Sequence, residues 1–393
     1  MRQGWEIKTL NQISENLDSK RIPVTKNIRS GGNIPYYGAS GIVDYVEDYI
    51  FDEDLLLISE DGANLLARTY PIAFSISGKV WVNNHAHVIK FRNRTTQKYV
   101  ELYLNSLKLD DFVSGMAQPK LNQSMLNKIQ IPLPTPPEQQ RIVAILDEAF
   151  ASIARAKANA EQNLKNAKEL FESYLQSIFN NKDKRWKEKS LGEVCEIKPP
   201  KNEARNKLQK TDFVSFVPME DLGINQKLFS PTKERQLSQV EGSYTYFANE
   251  DVLLAKITPC FENGKLGIAR KLRNGIGFGS SEFVVFRVSE NMYSEFLYYF
   301  LLRQKFRTEG AERMMGAVGH KRVSKEFIDN YLIPMPSFDE QKAIVQKLDT
   351  LSVETKKLET IYQQKLNDLE ELKKSVLQKA FNGELKTTKE VVV

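Results

Sequence analysis

Ile131-Pro-Leu-Pro-Thr-Pro-Pro-Glu-Gln139 returns as Ile333-Pro-Met-Pro-Ser-Phe-Asp-Glu-Gln341, and each copy runs into a stretch of more than forty residues without Gly or Pro. The offset of 202 between the copies also carries Leu146-Asp147 onto Leu348-Asp349 and Phe179-Asn180 onto Phe381-Asn382. Upstream the offset is smaller. Trp5-Glu-Ile-Lys-Thr-Leu10 matches Trp186-Lys-Glu-Lys-Ser-Leu191 at 181, and Glu53-Asp-Leu-Leu-Leu57 matches Glu250-Asp-Val-Leu-Leu254 at 197. An offset that grows and then freezes describes a duplication whose front parts differ by insertions and whose rear parts superimpose.

The rear parts read as long helices. Ile142, Leu146, Ile153, Leu164 and Phe171, with small residues between them, keep the three-and-four spacing of a helix seam. Ile344, Leu348, Leu358, Leu366 and Leu369 do the same in the second copy. Glu, Lys and Arg surround both seams, as on the wet faces of a coiled coil. At 1.5 Å per residue each helix is a rod of roughly 65 Å, and the spacing predicts an antiparallel intramolecular pair. Phe171, Leu175 and Phe179 read as exposed seam residues, which would limit solubility of the chain alone. The front parts are mixed α/β. Leu55–Ile58, Val80–Val82, Val88–Phe91, Val252–Ala255 and Phe283–Phe286 read as strands, and Lys98–Leu107 and Ser294–Phe306 as helices.

The fold class expected is therefore α+β: two globular α/β domains in tandem, separated and followed by long helices. The divisions are 1–137 and 184–338 for the domains, 138–183 for the central helix and linker, and 339–393 for the C-terminal helix and tail. The 393 residues suit this count. The longest apolar run, Phe296–Leu302, is far short of a bilayer span, the charged N-terminus lacks a signal-peptide core, and two cysteines make no disulfide framework. The expected compartment is the cytoplasm, without membrane association. The net charge of +6 is unevenly placed: +1 over 1–137, −1 over 138–183, +6 over 184–338 and zero from 339 onward. The helices read as protein-facing, and the second domain as the one suited to a polyanion.

Catalytic patterns are weak. No phosphate-cradling Gly-x-x-x-x-Gly-Lys-Ser/Thr occurs, and Gly275-Ile-Gly-Phe-Gly279 is followed by no helix start. His85-Ala-His87 offers two imidazoles without a third ligand, and Asp183 with Glu196-Ile-Lys198 fits only the permissive metal-nuclease pattern. Cys195 and Cys260 read as core thiols. No metal site and no catalytic residue is assigned.

Two divergent α/β units, each closing on Ile-Pro-x-Pro, Glu-Gln and a long helix ending in Phe-Asn, resemble the specificity subunit of type I restriction-modification systems. Ile34-Pro-Tyr-Tyr-Gly-Ala-Ser-Gly41, Gly78-Lys-Val-Trp-Val-Asn-Asn-His85, Leu254-Ala-Lys-Ile-Thr-Pro259, Glu262-Asn-Gly-Lys265 and Gly319-His-Lys-Arg-Val323 resemble stretches of that family's target-recognition domains. Ser337-Phe338-Asp339 departs from the Pro-Pro-Leu often found before Glu-Gln. The resemblance implies a non-catalytic subunit reading a bipartite, asymmetric site on double-stranded DNA, with the helices as a ruler. It implies two modification (methyltransferase) subunits directing adenine N6-methylation, and restriction (endonuclease/translocase) subunits. S-adenosylmethionine, ATP and Mg would sit on those partners and no cofactor on this chain. The candidate DNA-binding residues are Tyr36, Tyr37, Ser59, Glu60, Asp61, Arg68, Asn83, Asn84, His85, Gln118 and Lys120 in the first domain. In the second they are Lys256, Thr258, Glu262, Asn263, Lys265, His320, Lys321 and Arg322. Two other readings stand beside this one: a stand-alone metal-dependent nuclease, and a coiled-coil scaffold that binds no DNA.

Overall fold

The computed structural model describes residues 4–29, 31–115, 118–181, 183–317 and 319–385, so the end of the expected tail, 386–393, lies outside the described residues. The chain divides into two compact units, Met1–Glu161 with Gln364–Val393, and Gln162–Gln363. Each long helix therefore contributes to both units, unlike the serial division read from the sequence.

The first unit is closed by a two-stranded ribbon. Glu6–Thr9 runs antiparallel to Gln130–Leu133, with Ile7 opposite Pro132 and Lys8 opposite Ile131. In the second unit Lys187–Ser190 pairs with Leu332–Met335 in the same register, Glu188 opposite Pro334 and Lys189 opposite Ile333. The two marks that repeat at different offsets, Trp-x-x-x-x-Leu and Ile-Pro-x-Pro, are thus neighbours in space. Everything between them can lengthen without disturbing the ribbon.

Within the ribbon the units share a topology. The first has an antiparallel sheet ordered Ser14–Asn16, Ala86–Phe91, Leu55–Ser59, Ala73–Ile76. Its second sheet is ordered Gly41–Val46, Ile34–Gly38, Lys79–Val82, Phe51–Asp52, with the middle pair parallel. The second unit repeats the first sheet as Cys195–Ile197, Phe283–Val288, Val252–Ala255, Leu266–Ala269 and adds Leu228–Phe229 at the edge. Its other sheet is Lys233–Gln236, Phe213–Val217, Ile276–Gly279, Thr245–Ala248, again with a parallel middle pair. Leu55–Ser59 and Val252–Ala255 are buried along their whole length, and for that reason they read as continuous apolar runs rather than alternating ones.

The helix read at Lys98–Leu107 spans Arg94–Ser106, begun by Asn93 Oδ1 accepting the Thr96 N–H at 2.8 Å. The helix read at Ser294–Phe306 is two helices, Ser294–Leu302 and Gln304–Glu312, broken at Arg303 with ψ 139°. The side chain of Arg303 explains the break. It is buried, its guanidinium lies 3.8 Å from the Phe300 ring centroid and 4.7 Å from that of Phe179, and Nε donates to Phe300 O at 2.9 Å.

The long helices are Pro136–Asn180 and Phe338–Phe381. Inside the first unit Lys157 pairs with Glu370 at 2.6 Å and Lys373 lies over the Phe150 ring at 5.5 Å, so numbers rise on one helix as they fall on the other. Inside the second, Lys168, Phe171 and Glu172 line one cleft with Thr355, Lys356 and Glu359. Ile142, Leu146 and Leu348 are buried, and Ile153, Leu164, Phe171, Ile344, Leu366 and Leu369 half-buried. Leu358, expected in the seam, is 37% exposed, because the stripe shifts to Thr355, which is buried with Oγ1 donating to Leu351 O at 2.9 Å. Leu175 and Phe179, expected to be exposed, belong to the core of the second unit, while Phe171 packs half-buried against it.

The Glu-Gln mark has a structural reason. Gln139, buried, donates from Nε2 to Pro134 O at 2.8 Å and accepts the Thr96 hydroxyl at 2.8 Å. Gln341, also buried, donates to Pro336 O at 3.1 Å and Asn291 O at 3.0 Å and accepts the Tyr293 N–H at 2.8 Å. Each glutamine ties the first turn of a long helix to the end of the closing ribbon and to the start of the helix Arg94–Ser106 or Ser294–Leu302. Gln341→Leu leaves these groups unpaired and is expected to destabilise the second unit by roughly 2–4 kcal/mol, read as faster hydrogen exchange in Ser294–Leu302 with Arg94–Ser106 unchanged. A shift under about 0.5 kcal/mol would remove the staple from the account.

Candidate nucleic-acid interface

In each unit three loops are bonded together where the central strand of the antiparallel sheet ends. In the first unit Glu60 N–H donates to His85 O at 2.9 Å, Gly62 N–H to Pro119 O at 3.0 Å and Leu121 N–H to Glu60 O at 2.8 Å. In the second, Lys256 N–H donates to Glu282 O at 3.0 Å, Thr258 N–H to Lys321 O at 3.0 Å and Val323 N–H to Lys256 O at 2.9 Å. A bridge between Ser114 and Lys120, and one between Met315 and Arg322, closes the third loop in each. The frame is made by backbone groups, so the side chains on it are free to differ. They do differ. Glu60 occupies the place of Lys256, and Lys120 that of Arg322.

Many of the residues singled out from sequence lie on these loops: Glu60, Asp61, Asn83, Asn84, His85, Gln118 and Lys120, and Lys256, Thr258, His320, Lys321 and Arg322. Asn84, Gln118, His320 and Lys321 are exposed. Glu262, Asn263 and Lys265 lie on the turn before Leu266–Ala269. There Glu262 accepts the Thr258 hydroxyl at 2.9 Å, Lys265 donates to Met219 O at 2.9 Å and Asn263 is exposed. Others are taken up by the frame. Tyr36 is 1% exposed with its hydroxyl on the Val24 backbone, and Ser59, also buried, donates to Ala39 O at 2.5 Å. Asn83 is buried and shapes its loop by accepting the His85 N–H at 2.8 Å. Arg68, at φ +54°, donates to Leu104 O and Leu107 O and so covers the end of helix Arg94–Ser106. Tyr37 is half-buried against Phe74.

The cations of the first unit's loops are matched by carboxylates. Arg21 lies 2.6 Å and Lys120 3.1 Å from Glu60, and His85 lies 2.8 Å from Asp61. Behind them His87 is buried, with Nδ1 2.6 Å from Asp18 and Nε2 2.7 Å from Leu121 O, so both ring nitrogens are occupied within the core. Burial pushes the Asp18 carboxyl up, but His87, the Val88 N–H and Arg21 outweigh it and hold it below the usual carboxylate range. Glu60 is lowered in the same way, burial being overcome by Arg21, His87 and Lys120. Groups lowered on folding contribute stability that is full above their unfolded pKa values and is lost as pH falls through the folded ones. The first unit is therefore expected to lose melting temperature steeply below about pH 4. Asp18→Asn should start lower at neutral pH and give a flatter curve; parallel curves for the two proteins would contradict this.

Some residues of this region escaped the sequence reading. Arg21 and Asp18 lie far from the motifs and reach the loops only through the sheet. In the second unit a cleft of about 420 Å³ is lined by Lys198, Lys201, Tyr244, Lys256, Arg322 and Lys325 among others. Asp183 of the nuclease pattern is paired with Arg185 at 2.7 Å, and Glu196 lies on the short strand Cys195–Ile197. Burial pushes the Cys195 thiol up to about 12, as befits a core residue. Among the described residues no three His, Cys, Asp or Glu side chains group as a metal site, and no helix is long and apolar enough to cross a membrane.

Comparison with known proteins agrees with the duplication. The chain is similar to the putative type I restriction enzyme specificity subunit S.HindORF215P of Haemophilus influenzae, 29% identical over 265 residues, 64% of this chain and 66% of that one. It is 34% identical over 189 residues to the EcoEI specificity subunit of Escherichia coli, covering 47% of this chain and 30% of that one. The MjaVIII specificity subunit of Methanocaldococcus jannaschii is 21% identical over 98% of this chain and 93% of its own. The matches thus span just under two thirds of the first of these relatives and under a third of the second. In fold the chain is similar to the HsdS subunit from Thermoanaerobacter tengcongensis, TM-score 0.57 at 18% identity over 98% of each chain. It is also similar to a chain from a structure described as the basis of complex assembly and conformational transition of the type I R-M system, TM-score 0.67 at 19% identity, covering 98% of this chain and 99% of that one. The family model for the type I restriction modification DNA specificity domain matches twice, over residues 2–166 and 183–371, and the chain belongs to that family.

Proposed function

We propose that this chain is the DNA specificity subunit of a type I restriction-modification complex. The observation that carries the reading is one backbone frame built twice with different side chains on it, Glu60, Asp61 and Lys120 in one unit and Lys256, Thr258 and Arg322 in the other. Two equivalent frames with different donors and acceptors suit the reading of two unlike half-sites. The long helices set the distance between the half-sites. Two modification subunits dock on this chain and methylate an adenine in each half-site after taking it out of the duplex. Restriction subunits join to cut unmodified DNA. S-adenosylmethionine, ATP and Mg belong to those partners, and this chain supplies recognition without catalysis.

The test is selection from a random duplex library by the chain assembled with its modification subunits. Enrichment of two short motifs at a fixed spacing is expected. Enrichment of nothing would favour a scaffold, and cleavage of DNA by the purified chain with Mg²⁺ alone would favour a nuclease.

A further inference from the structure

The cleft of the second unit borders the loop frame at Lys256 and Arg322. It opens between the end of strand Cys195–Ile197, the start of Thr245–Ala248 and the loops at Lys256 and Arg322. Its floor is apolar, with Phe283 and Val323 buried, and Tyr244 stands half-buried in its wall. Its rim is cationic. Arg322 is paired with Glu282 at 2.8 Å, and Lys325 with Asp329, the carboxylate that lines the cleft.

Lys198, Lys201 and Lys256 make no ion pair with a carboxylate among the described residues. Lys201 donates to Gly242 O at 2.6 Å and Lys256 to Ser281 O at 3.1 Å, both neutral acceptors, and the carboxylate near enough to offset Lys256 is Glu282, which Arg322 already pairs. Burial lowers the Lys201 ammonium below the usual lysine range, and the like charges of Arg205 and Lys198 lower it further. Like charges gathered at an apolar floor repel one another unless an anion joins them. The first unit supplies the contrast. Where the second has Lys256, it has Glu60, already bonded to Arg21 and Lys120. The frame is shared and the charge is reversed, so the cationic cleft is a property of the second unit's side chains and not of the fold.

We propose that this cleft seats a backbone phosphate of the DNA strand read by the second unit, with Lys198, Lys201 and Lys256 as the charge that holds it. The proposal rests on the DNA-recognition reading above and adds to it the place where salt-sensitive affinity is concentrated. An aromatic wall beside ammonium groups also suits the sugar and base that flank a phosphate.

Lys198 allows a clean test, because its φ of +64° is a conformation that glycine adopts more easily than lysine. Lys198→Gly therefore removes a cation without straining the fold. The chain assembled with its modification subunits is titrated with its selected duplex at several salt concentrations. Lys198→Gly is expected to reduce the slope of log affinity against log salt by about 1, and Lys198→Gly with Lys201→Gln by about 2, with all sequences weakened alike. Neutralising Lys365, on the helix Phe338–Phe381, serves as the control and should leave the slope unchanged. If Lys201→Gln impairs folding, seen as a lowered melting temperature, Lys198→Gly alone decides. An unchanged slope in the Lys198→Gly protein, with a sequence still selected by the unmodified chain, would overturn the phosphate seat and leave the recognition reading standing. Failure of the unmodified chain to select any sequence would overturn the reading beneath it. Titration of the chain with inorganic phosphate or adenosine monophosphate separates the remaining source. No heat at millimolar concentration is expected, and micromolar binding would reassign the cleft to a free small ligand.

Discussion

Phe179→Ala is expected to cost about 3–5 kcal/mol, and Phe381→Ala about as much, each in a different unit. Phe179 ends the helix Pro136–Asn180 and is buried with its ring 5.4 Å from Phe296 and 5.3 Å from Phe300. It also covers the guanidinium of Arg303 at 4.7 Å. Removing the ring opens a cavity and strips an aromatic face from a buried cation, two losses with the same sign. Phe381 ends the helix Phe338–Phe381 and packs edge-on to Tyr99 at 5.4 Å and Tyr103 at 5.1 Å. Because the rings share no neighbour, the two losses should add. With two units a single unfolding free energy is ill defined, so the check is local. Hydrogen exchange in Ser294–Leu302 should rise by two to three orders of magnitude in the Phe179→Ala protein while Arg94–Ser106 is unchanged, and the reverse should hold for Phe381→Ala. Equal acceleration in both helices would mean that the ends do not anchor separate units.

What was legible in the sequence and what was not follows from how each residue is used. Glu-Gln stands out because its glutamine is fixed by a carbonyl five residues back, and Ile-Pro-x-Pro because its strand register is set by the Trp-x-x-x-x-Leu stretch, which is far away in sequence but repeats with it. The central strands were legible for a related reason, since burial on both faces leaves an unbroken apolar run. The break at Arg303 was not legible, because one of the two rings that hold its guanidinium is contributed by Phe179, more than a hundred residues away in sequence. The candidate site was legible by loop but not by residue. Tyr36, Ser59, Asn83 and Arg68 are the polar types that read bases, yet each is held by a local backbone group instead. Lys201 carries no motif, Lys198 stood out only in the permissive nuclease pattern, and both join Lys256 and Arg322 only through sheet topology, so no spacing could have brought the four together on paper.

Four residues inserted between Glu161 and Gln162, with four more between Gln363 and Gln364, are expected to change the spacer between half-sites by roughly one to two base pairs. The positions are chosen from the division of the chain, which falls at these points in both long helices. One added turn lengthens a helix by about 6 Å, while a base pair advances the duplex by about 3.4 Å. Both helices must be lengthened. They pair antiparallel in the first unit, Lys157 with Glu370 and Phe150 with Lys373, and line one cleft in the second, so an insertion in one alone would drive the seam a full turn out of register. Four residues exceed one turn by about 40°, which the duplex can absorb by a small change in twist. The loop frames at Glu60 and Lys256 lie outside the inserted segments, so each half-site should keep its own sequence. Selection from a random duplex library by the assembled complex reads both properties at once. Unchanged half-sites at a new spacing are the expected result. Unchanged half-sites at the old spacing would mean that the helices do not set the distance, and that the spacing is fixed by the partner subunits instead.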